Sequence, residues 1–112
     1  MTKEELYTNL SALIERIANE QDYNARHNSV KFDGCLAYVG EYGSIQLHCA
    51  QDVFSVEWHT STYNTSIFIR CCDGKAEIVR VCMDDICHKP SRAMADLTML
   101  YMKVQMLLDE EL

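Results

Sequence analysis

The sequence has little of what marks a non-globular chain. Its 112 residues include one proline and four glycines, which excludes the collagen-like, linker-like and low-complexity classes. No apolar run approaches the roughly 20 residues that a membrane-spanning helix needs, so we expect no membrane partner. Because 48% of the residues are hydrophobic and 24% are charged, the composition is typical of a folded globular protein. We therefore expect a single domain over residues 1–112.

Clusters of basic residues are missing as well. The 10 Lys and Arg residues are scattered singly among 17 Asp and Glu residues, and the formal net charge is −7. A negative field repels nucleic-acid phosphates, so we expect no direct binding of DNA or RNA. The same charge suits a protein that competes for a basic surface on another protein.

Motifs of the common enzyme classes are absent from the sequence. It contains no glycine-rich phosphate loop, no nucleophile elbow and no HExxH pattern. His48, Glu57 and His59 are expected on one exposed sheet face, where they form either polar cover or a cluster that binds metal or moves protons. We expect a non-catalytic protein without a cofactor.

The sequence contains six cysteines. Its first residues show no signal-peptide pattern, so we expect a cytoplasmic protein whose thiols are reduced. Zinc needs about four ligands such as Cys and His. Cys82 and Cys87 have a spacing that zinc tolerates, and Cys71 is expected on the sheet face of Cys82. The cysteines are expected either to act as small apolar residues or to form a zinc- or thiol-based structural or redox module. The candidate residues of that module are Cys71, Cys82, Cys87 and His88.

Hydrophobic periodicity predicts an α+β fold. Thr2 and Glu5 form a capping-box pattern at the start of an amphipathic helix over residues 2–22. A polar connection over residues 23–34 follows, and the period then changes to two, which indicates strands from Cys35 to Met83. The predicted architecture is an antiparallel five-stranded β-meander flanked by an N-terminal and a C-terminal helix (α-β-β-β-β-β-α).

Three two-residue turns set the expected strand register. A turn at Tyr42-Gly43 pairs Leu36 with Cys49 and Tyr38 with Leu47. A second turn, at Gln51-Asp52, selects the same buried face through three apolar pairs: Cys49 with Phe54, Leu47 with Val56, and Ile45 with Trp58. Asp73-Gly74 is a type I′ signal for the last hairpin, in which Arg70 faces Glu77.

The last helix, from Pro90-Ser91 to about Glu110, has two apolar sides. At about 100° per residue, one broad sector forms the natural core face: Leu97, Leu100, Tyr101, Val104, Leu107 and Leu108. Roughly opposite lies a second stripe, the methionine stripe: Ala95, Met99, Met102 and Met106. Burial stabilises a methionine by roughly 1.5–3 kcal/mol, so we expect something to cover this stripe. The candidates are the fold itself, a second copy of the chain in a homodimer, and a different partner; we favour an interaction, a homodimer first.

These features predict a small acidic protein-binding module. One hypothesis is an inhibitor that occupies a basic groove of a nucleic-acid-handling protein. Phage anti-defence inhibitors, anti-CRISPR proteins among them, share this size and charge, which is an analogy without any shared motif. The acidic contact candidates are Asp84, Asp85, Asp109, Glu110 and Glu111. An accessory subunit or chaperone of one dedicated partner is a further alternative.

Overall fold

The computed structural model describes residues 2–23, 25–29, 35–41, 43–60, 63–85 and 90–109. In this part of the chain the elements are α1 (Lys3–Glu20), β1 (Ala25–Ser29), β2 (Cys35–Val39), β3 (Gly43–Ala50), β4 (Val53–Thr60), β5 (Tyr63–Cys72), β6 (Lys75–Asp85) and α2 (Pro90–Asp109). The strands form one open antiparallel sheet in chain order. The predicted α+β meander between two terminal helices is confirmed.

Strand β1 lies in the segment that the sequence indicates as a polar connection. It pairs antiparallel with β2, and Ala25 faces Val39 while Ser29 faces Cys35. Its sequence, Ala-Arg-His-Asn-Ser, has neither apolar alternation nor β-branched residues. Pairing with β2, rather than intrinsic propensity, therefore specifies this edge strand, which extends the five predicted strands.

Helix α1 forms as its capping signal predicts. The Thr2 side chain accepts a hydrogen bond of 3.1 Å from the Glu5 amide, which satisfies one of the unpaired donors of the first turn. The apolar stripe of α1 is buried in the core: Leu6, Leu10, Leu13, Ile14, Ile17 and Ala18. This face fixes α1 against β2 and β3.

Strands β3 and β4 pair in the predicted register. Ile45 faces Trp58, and the two other predicted apolar pairs also form. Gln51 of the connecting turn adopts a φ of 56°, in the left-handed region.

The register of β2 against β3 differs from the prediction by two residues. Leu36 faces Leu47 rather than Cys49, and Tyr38 faces Ile45 rather than Leu47. The Gly40 amide donates to the Gly43 carbonyl over 2.8 Å, so the turn lies one residue earlier than expected. Because side chains alternate with a period of two, this shift keeps every residue on its predicted face.

A β-bulge in β6 reverses the side-chain alternation. Asp73 and Gly74 both have positive φ angles, as the type I′ turn requires, and Arg70 faces Glu77 as predicted. The register then shifts between Phe68 and Ile69, since Ile69 faces Ile78 whereas Phe68 faces Arg80. Val79 is the extra residue of β6.

The two helices and the inner face of the sheet share one hydrophobic core. Helix α1 packs on β2 and β3, and α2 packs on β5 and β6. Both helices therefore lie side by side on the same face of the sheet. The largest fully buried side chains of this layer include Trp58, Phe54, Leu47, Ile67 and Leu100.

Tyr23 joins α1 to the end of the sheet. The Trp58 indole Nε1 donates a hydrogen bond of 3.0 Å to the Tyr23 hydroxyl, and both side chains are buried. A Cβ atom on Gly40 would lie 2.5 Å from the Tyr23 ring, and one on Gly43 would lie 2.5 Å from its hydroxyl oxygen. These two glycines therefore provide space for Tyr23, which places the β2–β3 turn.

We predict that Gly43→Ala lowers the free energy of unfolding by about 2–3 kcal/mol, because its Cβ would overlap Tyr23 and the His59 carbonyl. Urea unfolding measures the loss. Gly74→Ala is the matched control, since its Cβ meets open space and only the positive φ is strained, at a cost of about 1 kcal/mol. Equal losses in the two variants would contradict the tight packing around Tyr23.

Candidate protein-binding surface

Helix α2 uses one side to complete the core. Leu100, Val104 and Leu108 are buried, while Leu97 and Leu107 are half-buried and pack against the same cluster. Tyr101 was predicted with this sector, but its side chain is 39% exposed. Tyr101 lies at the edge of the sector on the helical wheel, which is consistent with its exposure.

The methionine stripe lies on the outer side of α2. Met102 is 56% exposed and Met106 is 60% exposed, and Ala95 is also exposed. Met99 is half-buried and packs against the core. Within the part of the chain that the structure describes, the fold leaves Met102 and Met106 uncovered, so the first candidate, cover by the fold itself, does not hold for these two side chains.

The exposed stripe belongs to a wider apolar patch, here called the methionine surface, which is formed by Met94, Ala95, Thr98, Met99, Met102 and Met106. With Lys103 these residues line a shallow groove on the outside of α2. The predicted stripe did not include Met94, which is 49% exposed, or Thr98. On the helical wheel Thr98 lies beside the stripe, whereas Met94 lies between Thr98 and Tyr101, close to the edge of the core sector.

Exposed apolar patches of this kind mark interaction sites on folded proteins. Methionine suits such a site, because its flexible and polarizable side chain adapts to different partner shapes. The residues of the sequence-predicted interface (Ala95, Met99, Met102 and Met106) are therefore brought together on one surface.

One edge of the methionine surface carries opposite charges. Asp96 and Lys103 are half-buried and seven residues apart, so they lie on the same side of α2. Burial raises the pKa of the Asp96 carboxyl above its ordinary value. On this side a second groove runs between the helices and is lined by Asn9, Leu13, Arg16, Lys103, Met106 and Leu107.

Two of the five acidic contact candidates have side chains that the structure describes, and both are exposed. Asp84 is exposed near the end of β6, and Asp109 is exposed at the end of α2, where its carboxylate accepts a 2.9 Å hydrogen bond from Gln105. Glu110 and Glu111 lie outside the described residues, and Asp85 is described only as the last residue of β6. In the chain, Asp84 and Asp109 are separated by α2, which is about 30 Å long. The acidic-competitor hypothesis stays a prediction.

The structure separates two of the proposed zinc ligands. Cys71 is buried in the core, next to Ala76 on the neighbouring strand, whereas Cys82 faces Ser66 on the opposite side of the sheet. The bulge at Val79 causes this reversal, so the expectation that Cys71 and Cys82 share a face is wrong. Cys87 and His88 lie outside the described residues.

Metal and disulfide sites are not found in the described part of the chain. No group of three or more His, Cys, Asp and Glu side chains there is placed to hold a metal ion. No disulfide joins Cys49, Cys71, Cys72 and Cys82.

The outer sheet face carries the predicted polar cluster. The His48 Nε2 atom lies 3.0 Å from the Glu57 Oε2 atom, and the His59 Nε2 atom lies 3.7 Å from Glu57 Oε1. Gln46 and Asn64 bond the same histidines at 2.8 and 2.9 Å. The side chains thus bond one another across β3, β4 and β5, which supports the interpretation of polar cover over the outer face.

Comparisons with protein-family models, with curated proteins and with solved structures found no match. Neither helix in the described residues is long and apolar enough to cross a membrane.

The two sides of α2 predict opposite mutational effects. Leu100→Ala is expected to lower the free energy of unfolding by about 2–5 kcal/mol, because Leu100 is fully buried. Met102→Ala is expected to change it by no more than about 0.5 kcal/mol, as is usual for a surface substitution. Urea unfolding of dilute protein measures both, and similar losses in the two variants would contradict the assignment of the two faces.

The exposed Cys72 thiol tests the electrostatics around the last hairpin turn. The Asp73 carboxylate, more than burial, raises the pKa of Cys72, which lowers the thiolate fraction at neutral pH. Asp73→Asn keeps a residue that suits the turn, so we expect faster alkylation of Cys72, followed by peptide mass spectrometry. Asp84→Asn, near the other end of β6, is the control. An unchanged or slower rate in the Asp73 variant would oppose this assignment.

Proposed function

We propose that this protein is a non-catalytic protein-binding module whose methionine surface is covered by another polypeptide. The observation that carries the proposal is the exposure of Met102 and Met106 on a helix whose opposite side already supplies the core. Removing these side chains from water would stabilise a complex with a partner.

The chemistry of the surface supports a protein rather than a nucleic acid as the partner. Its centre is apolar and adaptable, and polar groups such as Lys103 and Thr98 lie at its margin, as in protein interfaces. The formal net charge of −7 disfavours phosphate backbones.

We place the protein in the reducing cytoplasm as part of the same proposal. The exposed Cys72 is a free thiol, and thiols persist in compartments that glutathione and thioredoxin keep reduced.

Site-specific photo-crosslinking tests the proposal. A photoreactive amino acid at position 102 is expected to give a covalent adduct with a polypeptide, in purified protein or in cells that naturally express it. The same group at Glu20, exposed at the end of α1, is the matched control. Adducts at position 102 that do not exceed the control would reject the methionine surface as the binding site.

A further inference from the structure

Resting on the proposed function, we propose that the occupant of the methionine surface is a second copy of this chain, whose α2 docks antiparallel to the first across a two-fold axis. Two-fold pairs are the commonest form of soluble homo-oligomer, and they require a surface that complements itself. The order of residues along α2 meets this requirement in size and in charge.

The sizes of the apolar side chains complement one another about one midpoint. Ala95 and Met106 lie at equal distances from the point between Leu100 and Tyr101, and so do Met99 and Met102. An antiparallel copy centred there sets the long Met106 against the small Ala95, and Met99 against Met102. Alternation of large and small residues is what allows facing helices to interdigitate.

The charges on the edge of the surface select the same direction. A two-fold axis perpendicular to the helices brings the same edge of each α2 face to face. Lys103 of the second copy then lies two residues, or about 3 Å, along the helix axis from Asp96. The lysine side chain spans this offset. A parallel pair instead sets this edge against the opposite one, which carries Thr98 and Gln105, and loses both Asp96–Lys103 contacts.

The surroundings of Asp96 fit this pairing. Its carboxylate is half-buried in the single chain, and that desolvation disfavours the charged form. An ammonium group from the second copy would offset this cost, twice in a two-fold pair.

The helix layer offers more contact than α2 alone. The methionine stripe from Ala95 to Met106 covers only about 17 Å of helix. The groove between α1 and α2 shares Lys103 and Met106 with the methionine surface, so the two are continuous. A second copy lying on α2 therefore also contacts the margin of α1, including Arg16 and Asn9.

Charge reversal at the two positions tests the geometry. In a homodimer of Asp96→Lys, the new lysine faces Lys103 of the other copy. In a homodimer of Lys103→Asp, the new aspartate faces Asp96. Each variant alone should therefore self-associate about three- to tenfold more weakly than the wild-type protein. Mixed together, the two variants form a pair with two opposite-charge contacts. We expect heterodimers to exceed the half that random pairing gives, as measured by native mass spectrometry with one variant isotopically labelled.

A control removes the effect of overall charge. Glu20→Lys and Lys75→Asp introduce the same charge changes at exposed positions away from the methionine surface, and this mixture should pair at random. Enrichment in the first mixture alone supports the antiparallel pair. Random pairing in both mixtures overturns it and leaves the proposed function intact.

Sedimentation separates the remaining failures. A wild-type chain that stays monomeric at every concentration overturns the second copy as the occupant, and crosslinking from position 102 to another protein then decides the proposed function separately. A dimer that Met102→Glu leaves intact also overturns the second copy as the occupant, because another surface must hold that dimer together, and it leaves the proposed function to the crosslinking experiment.

Discussion

The structure depends on one hydrophobic layer, between a single face of the sheet and the two helices that cover it. Burial of this layer orients α1 through its apolar stripe and α2 through Leu100, Val104 and Leu108. The Trp58–Tyr23 hydrogen bond lies in the same layer and ties the end of α1 to the β2–β3 turn. The outer sheet face carries polar side chains that bond one another, such as His48 and Glu57, together with apolar ones such as Phe68.

A two-layer fold of this kind covers only one side of each helix. For α1 this is sufficient, because its outer side is polar. For α2 it is not, because Met102 and Met106 remain in water on the side away from the sheet. The two helices therefore have three apolar faces, one on α1 and two on α2, and the sheet covers only two of them. We propose that a second molecule supplies the missing cover.

Sequence periodicity predicts the parts of this fold that local pattern specifies. The β3–β4 register follows from the turn at Gln51-Asp52 and the apolar pairs that it brings together, and the two faces of α2 follow from wheel arithmetic. The predicted β2–β3 register was wrong by two residues. Gly40 and Gly43 accommodate Tyr23, and the local pattern does not show this contact between distant parts of the chain. The bulge at Val79, which separates Cys82 from Cys71, coincides with a change of phase in the apolar alternation of β6, between Ile78 and Val79, which the prediction did not use. The proposed second copy is a contact between two molecules, and the sequence bears on it only through the spacing of residues along α2.

The mass of the reduced protein in solution tests the central claim most directly. Sedimentation equilibrium over a range of concentrations compares the wild-type chain with Met102→Glu, and far-ultraviolet circular dichroism verifies that both are folded. The account predicts that the wild-type protein associates to twice the mass of the chain while the variant remains monomeric. Equal masses for the two proteins at every concentration would contradict it, because the methionine surface would then hold no second copy.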